Sequence, residues 1–436
     1  MIDTPIEEIS LTSIELFAGC GGLALGLHRA GWEGLLAIER DPMAFETLAS
    51  NLVDESAPFR AFTRWPEWMP QKSTDLIALL GDATFCRHLR DLRGKVDLVA
   101  GGPPCQGFSV GGKRDGEDDR NTLVYRMLDF VELVQPRAVL IENVEGMARR
   151  FVSKPGAARV SVAEDAISQL EKLGYIASYQ LINSADFGVP QARRRVAIIG
   201  VKDAGVTRDQ LHNIIMSALK SAAAETRASH GLPVSGKITV AEAIDDLSGT
   251  RLVQCPDSPG FMSGGYSAAK SAYARLMREG VADRSIPDSH RMTKHGDTVR
   301  ALYELAHATQ PPGRLTKEFL LKNGTKKDKK VLLDPSTLVA TITTHPDEYI
   351  HHKHPRNITV REMARLQSFP DRFRFLGRYT INGPRRRFDV ARCSQVGNAV
   401  PPLMGEGLGR AIIKVLTGVK VAACQERARA EEKIGA

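Results

Sequence analysis

The chain has 436 residues, 42% hydrophobic and 25% charged, which excludes collagen-like, disordered and disulfide-scaffold classes. Its 59 Lys and Arg against 51 Asp and Glu leave a net charge of +8, a balance that suits a polyanionic partner without requiring one. No apolar run approaches a membrane span, the acidic start MIDTPIEEIS lacks the apolar core of a signal peptide, and six scattered cysteines with no Cys-x-x-Cys pair fit a reducing cytoplasm.

In chain order, Ser13–Phe17 reads as a strand and Gly22–Ala30 as a helix. Leu35–Ile38 is a strand that ends in Glu39-Arg40-Asp41. The apolar run Leu76–Leu80 reads as a third strand, ending at Gly81-Asp82, and Val96–Ala100 as a strand running into Gly101-Gly102. Thr122–Val134 has helical periodicity and Ala138–Ile141 is apolar and strand-like. Ser161-x-x-Glu164 is a capping box opening a helix to Leu173, which stops at Gly174. Val196–Val201 closes the series. Repeated β-α-β units predict a doubly wound α/β fold, a mostly parallel sheet with helices on both faces. Ligands then sit at the carboxyl ends of the strands.

After about residue 205 that rhythm is lost. The stretch 206–355 holds nine of the eleven histidines and a lysine-rich run at Lys326–Lys330. Its histidines 345, 351, 352 and 354 have no accompanying Cys and no zinc spacing, so no metal site is expected. Thr359-x-x-Glu362 is a second capping box. A last helix starts near Pro401-Pro402 and runs to about Leu416, with a frayed tail from Gln425. The organisation expected is 1–205 and 356–436 forming one α/β domain, with 206–355 inserted as a smaller one.

Four loops carry the chemistry. In Glu15-Leu16-Phe17-Ala18-Gly19-Cys20-Gly21-Gly22 a strand runs into a helix N-terminus, where glycines admit a ligand close to the backbone. Glu39 at the next strand end suits ribose hydroxyls, and Asp82 an adenine amine. Singly each is more often a solvated acid, but in series they suggest an adenosine-bearing cofactor. Gly101-Gly102-Pro103-Pro104-Cys105-Gln106-Gly107-Phe108-Ser109 presents a cysteine on a stiff polar loop, a nucleophile's setting. Glu142 in Ile141-Glu142-Asn143-Val144 is a candidate acid or hydrogen-bond partner. In Gln191-Ala192-Arg193-Arg194-Arg195 alternation puts Arg193 and Arg195 on one side.

These segments, in this order, resemble the successive motifs of the DNA cytosine-5-methyltransferases: ELFAGCGG, GGPPCQGFS, IENV, QARRR, RNITVREMARLQSFPD (356–371) and QVGNAVPP (395–402). The likeness covers about two thirds of the chain, and Glu15 stands where the family often has Asp. It implies the class I S-adenosylmethionine-dependent methyltransferase fold. S-adenosylmethionine would be held by Phe17, Gly19, Gly21, Gly22, Glu39, Arg40, Asp82, Pro104, Asn398 and Ala399. It further implies covalent activation of a flipped-out cytosine by Cys105, with Glu142 on the N3/N4 edge and Arg195 on O2, assisted by Arg193. Gln106, Ser109, Gln191 and Thr341 would contact double-stranded DNA, the loop Val110–Asn121 would close over it, and 206–355 would be the target-recognition domain. The resemblance points to a compact bacterial or phage enzyme, a cytoplasmic monomer with or without a separate cognate restriction endonuclease. A tRNA-modifying relative, an inactive DNA-binding relative and a nicotinamide or flavin oxidoreductase are the alternatives. The last gives Pro104-Cys105 and the arginine motif no role.

Overall fold

The computed structural model describes residues 11–104, 122–149, 161–249, 252–325, 329–379 and 389–434. Its first elements are β1 (Leu11–Leu16), α1 (Gly22–Arg29), β2 (Trp32–Ile38), α2 (Pro42–Leu48), α3 (Leu76–Leu80) and α4 (Ala83–Asp91). They are followed by β3 (Leu98–Gly101), α5 (Thr122–Val134), β4 (Ala138–Val144), α6 (Val162–Lys172) and β5 (Tyr175–Asn183), then the short β6 (Gln191–Ala192) and β7 (Arg194–Lys202). The six-stranded sheet has the order β2-β1-β3-β4-β7-β5. The pairings β1–β2, β1–β3 and β3–β4 are parallel, but β7 runs antiparallel to both β4 and β5.

Two sequence expectations change here. Leu76–Leu80 is not a strand: Asp75 accepts from the backbone N–H of Ile77 and Ala78 and starts a one-turn helix. A five-residue apolar run fits either element, and the cap decides. Conversely, Tyr175–Asn183, not anticipated, forms the edge strand after Gly174, whose φ of 87° ends the preceding helix. The capping box at Ser161 and Glu164 is present.

Strand alternation divides the core. Ile14, Leu16, Val99, Ile141 and Ile198 pack under α4, α5 and α6 with Phe85, Met127 and Leu170. Leu98, Ala100, Leu140, Ala197 and Ile199 face the other way, toward Leu23 and Leu27 of α1. That second face is covered by α7 (Arg208–Ser229) and by the last helix, which packs against both α1 and α7. The helix beginning at Arg208 thus lies on the sheet's layer, past the boundary expected at 205.

Between α7 and residue 356 the elements are short: α8 (Val240–Ile244), β8 (Leu252–Gln254), β9 (Met262–Gly264), α9 (Ala272–Met277), α10 (Asp297–Thr309), β10 (Gly313–Arg314), α11 (Lys317–Lys322), β11 (Val331–Leu332), β12 (Val339–Ala340) and β13 (Tyr349–Ile350). Leu302, Tyr303, Ala306, Leu315, Leu320, Leu332 and Ile350 form a small core of their own. The chain then returns to the α/β unit through α12 (Val360–Leu366), α13 (Arg392–Asn398) and α14 (Pro402–Ile434). α14 continues to Ile434, into the tail expected to fray from Gln425. Among the described residues no helix is long and apolar enough to cross a membrane.

Candidate active site

The reversed direction of β7 builds the site. Because β1–β4 are parallel, Phe17–Gly22, Glu39, Gly102–Pro104 and Glu142–Val144 all come to one edge of the sheet. A parallel β7 would begin at the far edge. Running antiparallel, it starts beside the end of β4, with Val144 opposite Arg195. The arginine motif therefore meets the Glu142 loop.

At that junction Glu142 and Arg195 are both buried, with Arg195 Nε 3.1 Å from Glu142 Oε1. The approach is off-line for a hydrogen bond, so Oε1 is buried without a hydrogen-bond partner. Held by charge rather than by an in-line hydrogen bond, this oxygen keeps acceptor capacity for a ligand donor. Arg195 Nη1 also donates to the Arg194 carbonyl (2.7 Å). Arg193 is buried beside them and donates to the carbonyls of Gly397 (3.1 Å) and Ile342 (3.5 Å). Burial, reinforced by Arg195, draws its pKa down to about 9, which leaves it cationic at neutral pH. Arg194, between them on the opposite side, is exposed and pairs with Glu145 (3.3 Å).

Asn143 has a role that sequence reasoning missed. Its Nδ2 donates to the Pro103 carbonyl (2.8 Å) and its Oδ1 accepts from Val144 N–H (2.8 Å). It ties the end of β4 to the loop entering Cys105. Its place beside Glu142 in the same motif was the available signal. Cys105, Gln106, Ser109 and the loop Val110–Asn121 lie outside the described residues.

Gln191 corrects an expectation: it is fully buried rather than placed to touch DNA. Its Nε2 donates to Gln367 Oε1 (2.7 Å) and the Leu366 carbonyl (3.2 Å), and its Oε1 accepts from Ile342 N–H (2.8 Å). Gln367 in turn donates to the Val396 carbonyl (2.8 Å). Two buried amides thus lock β6, residue 342, α12 and α13 together. Thr341 is exposed next to this lock, where β12 pairs with β6, and its hydroxyl donates to the Ala192 carbonyl (3.2 Å).

At the other end of the edge, Glu39 accepts from the backbone N–H of Gly19 (2.9 Å) and Asp41 (2.7 Å). Burial raises its pKa above the usual carboxylate range. Phe17 and Gly19 both have φ of 56°, and a Cβ on Gly19 would meet nothing within 4 Å, so the loop leaves open space on that side. Gly22, by contrast, sits where a Cβ would lie 2.3 Å from the Val400 carbonyl. That close approach seats the loop of Gln395–Pro402 against the first loop, with Ala399 buried and Asn398 exposed. Gly21 has φ of 91° at the start of α1. Glu15 is buried behind them with Oε2 unpartnered, and burial followed by the Glu39 charge holds its pKa well up.

Asp82 is not at a strand end. It caps α4, with Oδ1 accepting from Thr84 (2.7 Å) and Phe85 (3.1 Å) N–H, and it is exposed. Arg40 is also exposed, 3.8 Å from Asp75. Pro104 is exposed at the end of the described loop. The histidines contain no metal cluster among the described residues. His351 stacks on His352 (4.5 Å) and faces His354 (4.9 Å).

A mixed α/β sheet with a glycine loop, a strand-end carboxylate and a buried Glu–Arg pair on one edge is the arrangement expected of a class I S-adenosylmethionine-dependent methyltransferase. The comparisons make the assignment specific: residues 11–414 match the model of the C-5 cytosine-specific DNA methylases, and the chain belongs to that family. It is 31% identical to the type II methyltransferase M1.HphI of Haemophilus parahaemolyticus, over 94% of this chain and 88% of that protein. It is 30% identical to M.AgeI of Thalassovita gelatinovora, over 92% and 99%. A crystal structure described as a candidate DNA modification methyltransferase of an E. coli prophage superposes with a TM-score of 0.62 at 25% identity, covering 94% of this chain and all of that one. The protein is a DNA cytosine-5-methyltransferase that uses S-adenosylmethionine.

Proposed function

We propose that this chain is the modification enzyme of a bacterial restriction–modification system, or an orphan relative, and that it methylates one short duplex sequence in the cytoplasm. The observation that carries the chemistry is the buried Glu142–Arg195 pair beside the loop entering Cys105. The type II relatives support the biological setting. A cognate endonuclease would act separately, and the enzyme would work as a monomer.

S-adenosylmethionine, when bound, supplies an electrophilic methyl group. Glu39 suits its ribose, and the open side of Gly19, with Phe17 and Gly21, suits the rest of the molecule. Gly22 and Ala399 close that wall, with Asn398 and Pro104 at its rim. Arg40 and Asp82 flank the adenine end from exposed positions.

Cytosine C5 is a weak nucleophile. A base in a stacked duplex is also out of reach, so the target nucleotide flips out at a cost of a few kcal/mol. The Cys105 thiolate adds to C6, forming a C–S bond and pushing electron density onto C5 and the O2/N3 side of the ring. Glu142, held by Arg195, binds the N3/N4 edge and places a proton at N3. Arg195 binds O2 and offsets negative charge there, and Arg193 adds to the positive field while bracing the wall at Gly397. After C5 is methylated, its proton is lost to a base, the C6–S bond breaks and 5-methylcytosine leaves. Thr341 contacts the backbone of the extruded nucleotide, Gln106 and Ser109 contribute to DNA binding, and 206–355 reads the target through the grooves.

A duplex carrying 5-fluorocytosine at the target lacks the C5 proton whose loss releases the thiol. Wild type should form a denaturation-resistant adduct on it, and Cys105→Ser none. Absence of adduct with wild type on a methylated-competent sequence would contradict the covalent route.

A further inference from the structure

A second site lies at the opposite edge of the sheet. There the turn after β7, the start of β4 and the entry to β3 meet the C-terminal half of α14 around a cavity of about 600 Å³. That size is typical of small-molecule sites. Its lining is apolar at Val201, Leu416, Val419 and Ala423, and it carries Arg93, Arg137, Lys202 and Lys420 against a single acid, Asp203.

Gln135 forms part of the floor. It is 6% exposed, and its Oε1 is buried with no hydrogen-bond partner. The amide cannot be turned round, because Nε2 donates to the Glu132 carbonyl (3.3 Å) and a reversal would set oxygen against oxygen. An acceptor buried in this way calls for a donor from outside the chain. The cations are only partly used. Arg93 donates through Nη1 to the Glu132 carbonyl (3.0 Å) and Arg137 through Nη1 to Asp97 (2.5 Å), which leaves the other guanidinium nitrogens for a ligand. Lys202 Nζ rides 5.4 Å above the Tyr175 ring.

A ligand that matches all three features has a flat apolar body, an N–H donor and an anionic group. We propose that the cavity binds a nucleoside monophosphate, distinct from the cofactor and the DNA. The base lies against α14 with an N–H donated to Gln135 Oε1, and the phosphate is held by Lys202, Lys420 and the two guanidinium groups. The methyl-transfer edge is at the other end of the strands, so both sites fill together.

The test is titration calorimetry on the full chain saturated with S-adenosylhomocysteine, which occupies the adenine-binding edge. The probes are the four common nucleoside monophosphates, adenosine and inorganic phosphate. The proposal expects one-to-one binding of at least one nucleotide, about tenfold or more tighter than phosphate or adenosine alone. Gln135→Leu and the surface double variant Lys202→Gln with Lys420→Gln should each weaken it by about tenfold, with DNA methylation unchanged. Cys424 lines the cavity and is exposed, so its alkylation, read by peptide mass, should slow when the nucleotide binds. No nucleotide binding, phosphate binding as tightly as any nucleotide, or full affinity in the double variant would overturn the assignment.

Discussion

The α/β unit and the stretch from α8 to β13 are held together in different ways. The first buries long strands between two helical layers, and the buried Glu142–Arg195 pair lies at one edge of its sheet. The second has strands of two or three residues, a small apolar core of its own and buried polar groups that include Asp246, His290 and Lys330. The seam between them joins a continuous apolar core, in which Val240, Ile244, Tyr273 and Met277 pack with Met363 and Leu366, to a buried ionic network. Arg365 of α12 is fully buried and forks onto Asp371 (2.6 and 2.7 Å) and Asp246 (3.0 and 3.1 Å), and it donates to the Ala243 carbonyl (2.9 Å). Burial alone would lower its pKa, but the two carboxylates overcome that and raise it. Arg361, equally buried, donates to the Asp288 and Phe373 carbonyls and pairs with Asp288. Within that core these direction-specific contacts fix how the short elements sit against α12.

The sharpest way to break that distinction is Arg365→Met. It leaves Asp246 and Asp371 buried without their counter-charge, and removing one partner of a buried pair costs about 3–5 kcal/mol. Denaturant unfolding followed by tryptophan fluorescence and by far-UV dichroism should show the loss. A change below about 1 kcal/mol would mean the seam is not ionic in its energetics. The corresponding change at the catalytic edge is Asn143→Ala, which frees the Pro103 loop without touching the core. It should lower kcat about 10²-fold, the scale of a nucleophile misplaced by roughly an ångström, while S-adenosylmethionine affinity and stability stay near wild type.

Acid should separate the two regions further. His290 is buried, with Nδ1 2.8 Å from the Thr359 hydroxyl and Nε2 3.0 Å from the Leu247 carbonyl. Burial depresses its pKa to about 4, and that of His295 likewise. Between their ordinary value of 6.5 and about 4 the unfolded chain binds protons that the folded one does not. Their contribution is therefore complete above about pH 6.5 and is lost as pH drops through that window, by up to about 1.4 kcal/mol per pH unit for the fully buried His290 and by less for the partly exposed His295. His290→Asn should flatten the slope. Glu15 acts in the opposite sense. Its raised pKa means the folded chain holds a proton the unfolded one has lost, so its contribution weakens as pH rises above the ordinary carboxylate range. Glu15→Gln should raise Tm by a few degrees at pH 8 and have little effect at pH 4, the smallest of these changes.

The same contrast governs what the sequence disclosed. Thr122–Val134 and the capping boxes at Ser161 and Thr359 were readable because long periodic runs and their caps are local signals. The loops at Gly19, Glu39 and Glu142 were readable because glycines and acids follow apolar strands. The direction of β7 was not, because periodicity is the same in a parallel and an antiparallel strand. Yet that direction brings Arg195 to Glu142. Gln191 was legible as part of a motif but not as a buried tie, since its partners lie 151 to 176 residues away. Two-residue strands such as β12 carry no period at all and exist through the contacts that surround them.

The central proposal is that Cys105, which follows the Pro103–Pro104 loop at the Glu142–Arg195 edge, is the nucleophile of a site-specific cytosine-5-methyltransferase. The direct measurement is base-resolution methylation mapping of DNA from a methylation-free host expressing the wild type or Cys105→Ser. The account predicts one short motif methylated at C5 with wild type and none with the variant. Equal methylation by the variant, or cytosine methylation in the host's tRNA but not in its DNA, would contradict it.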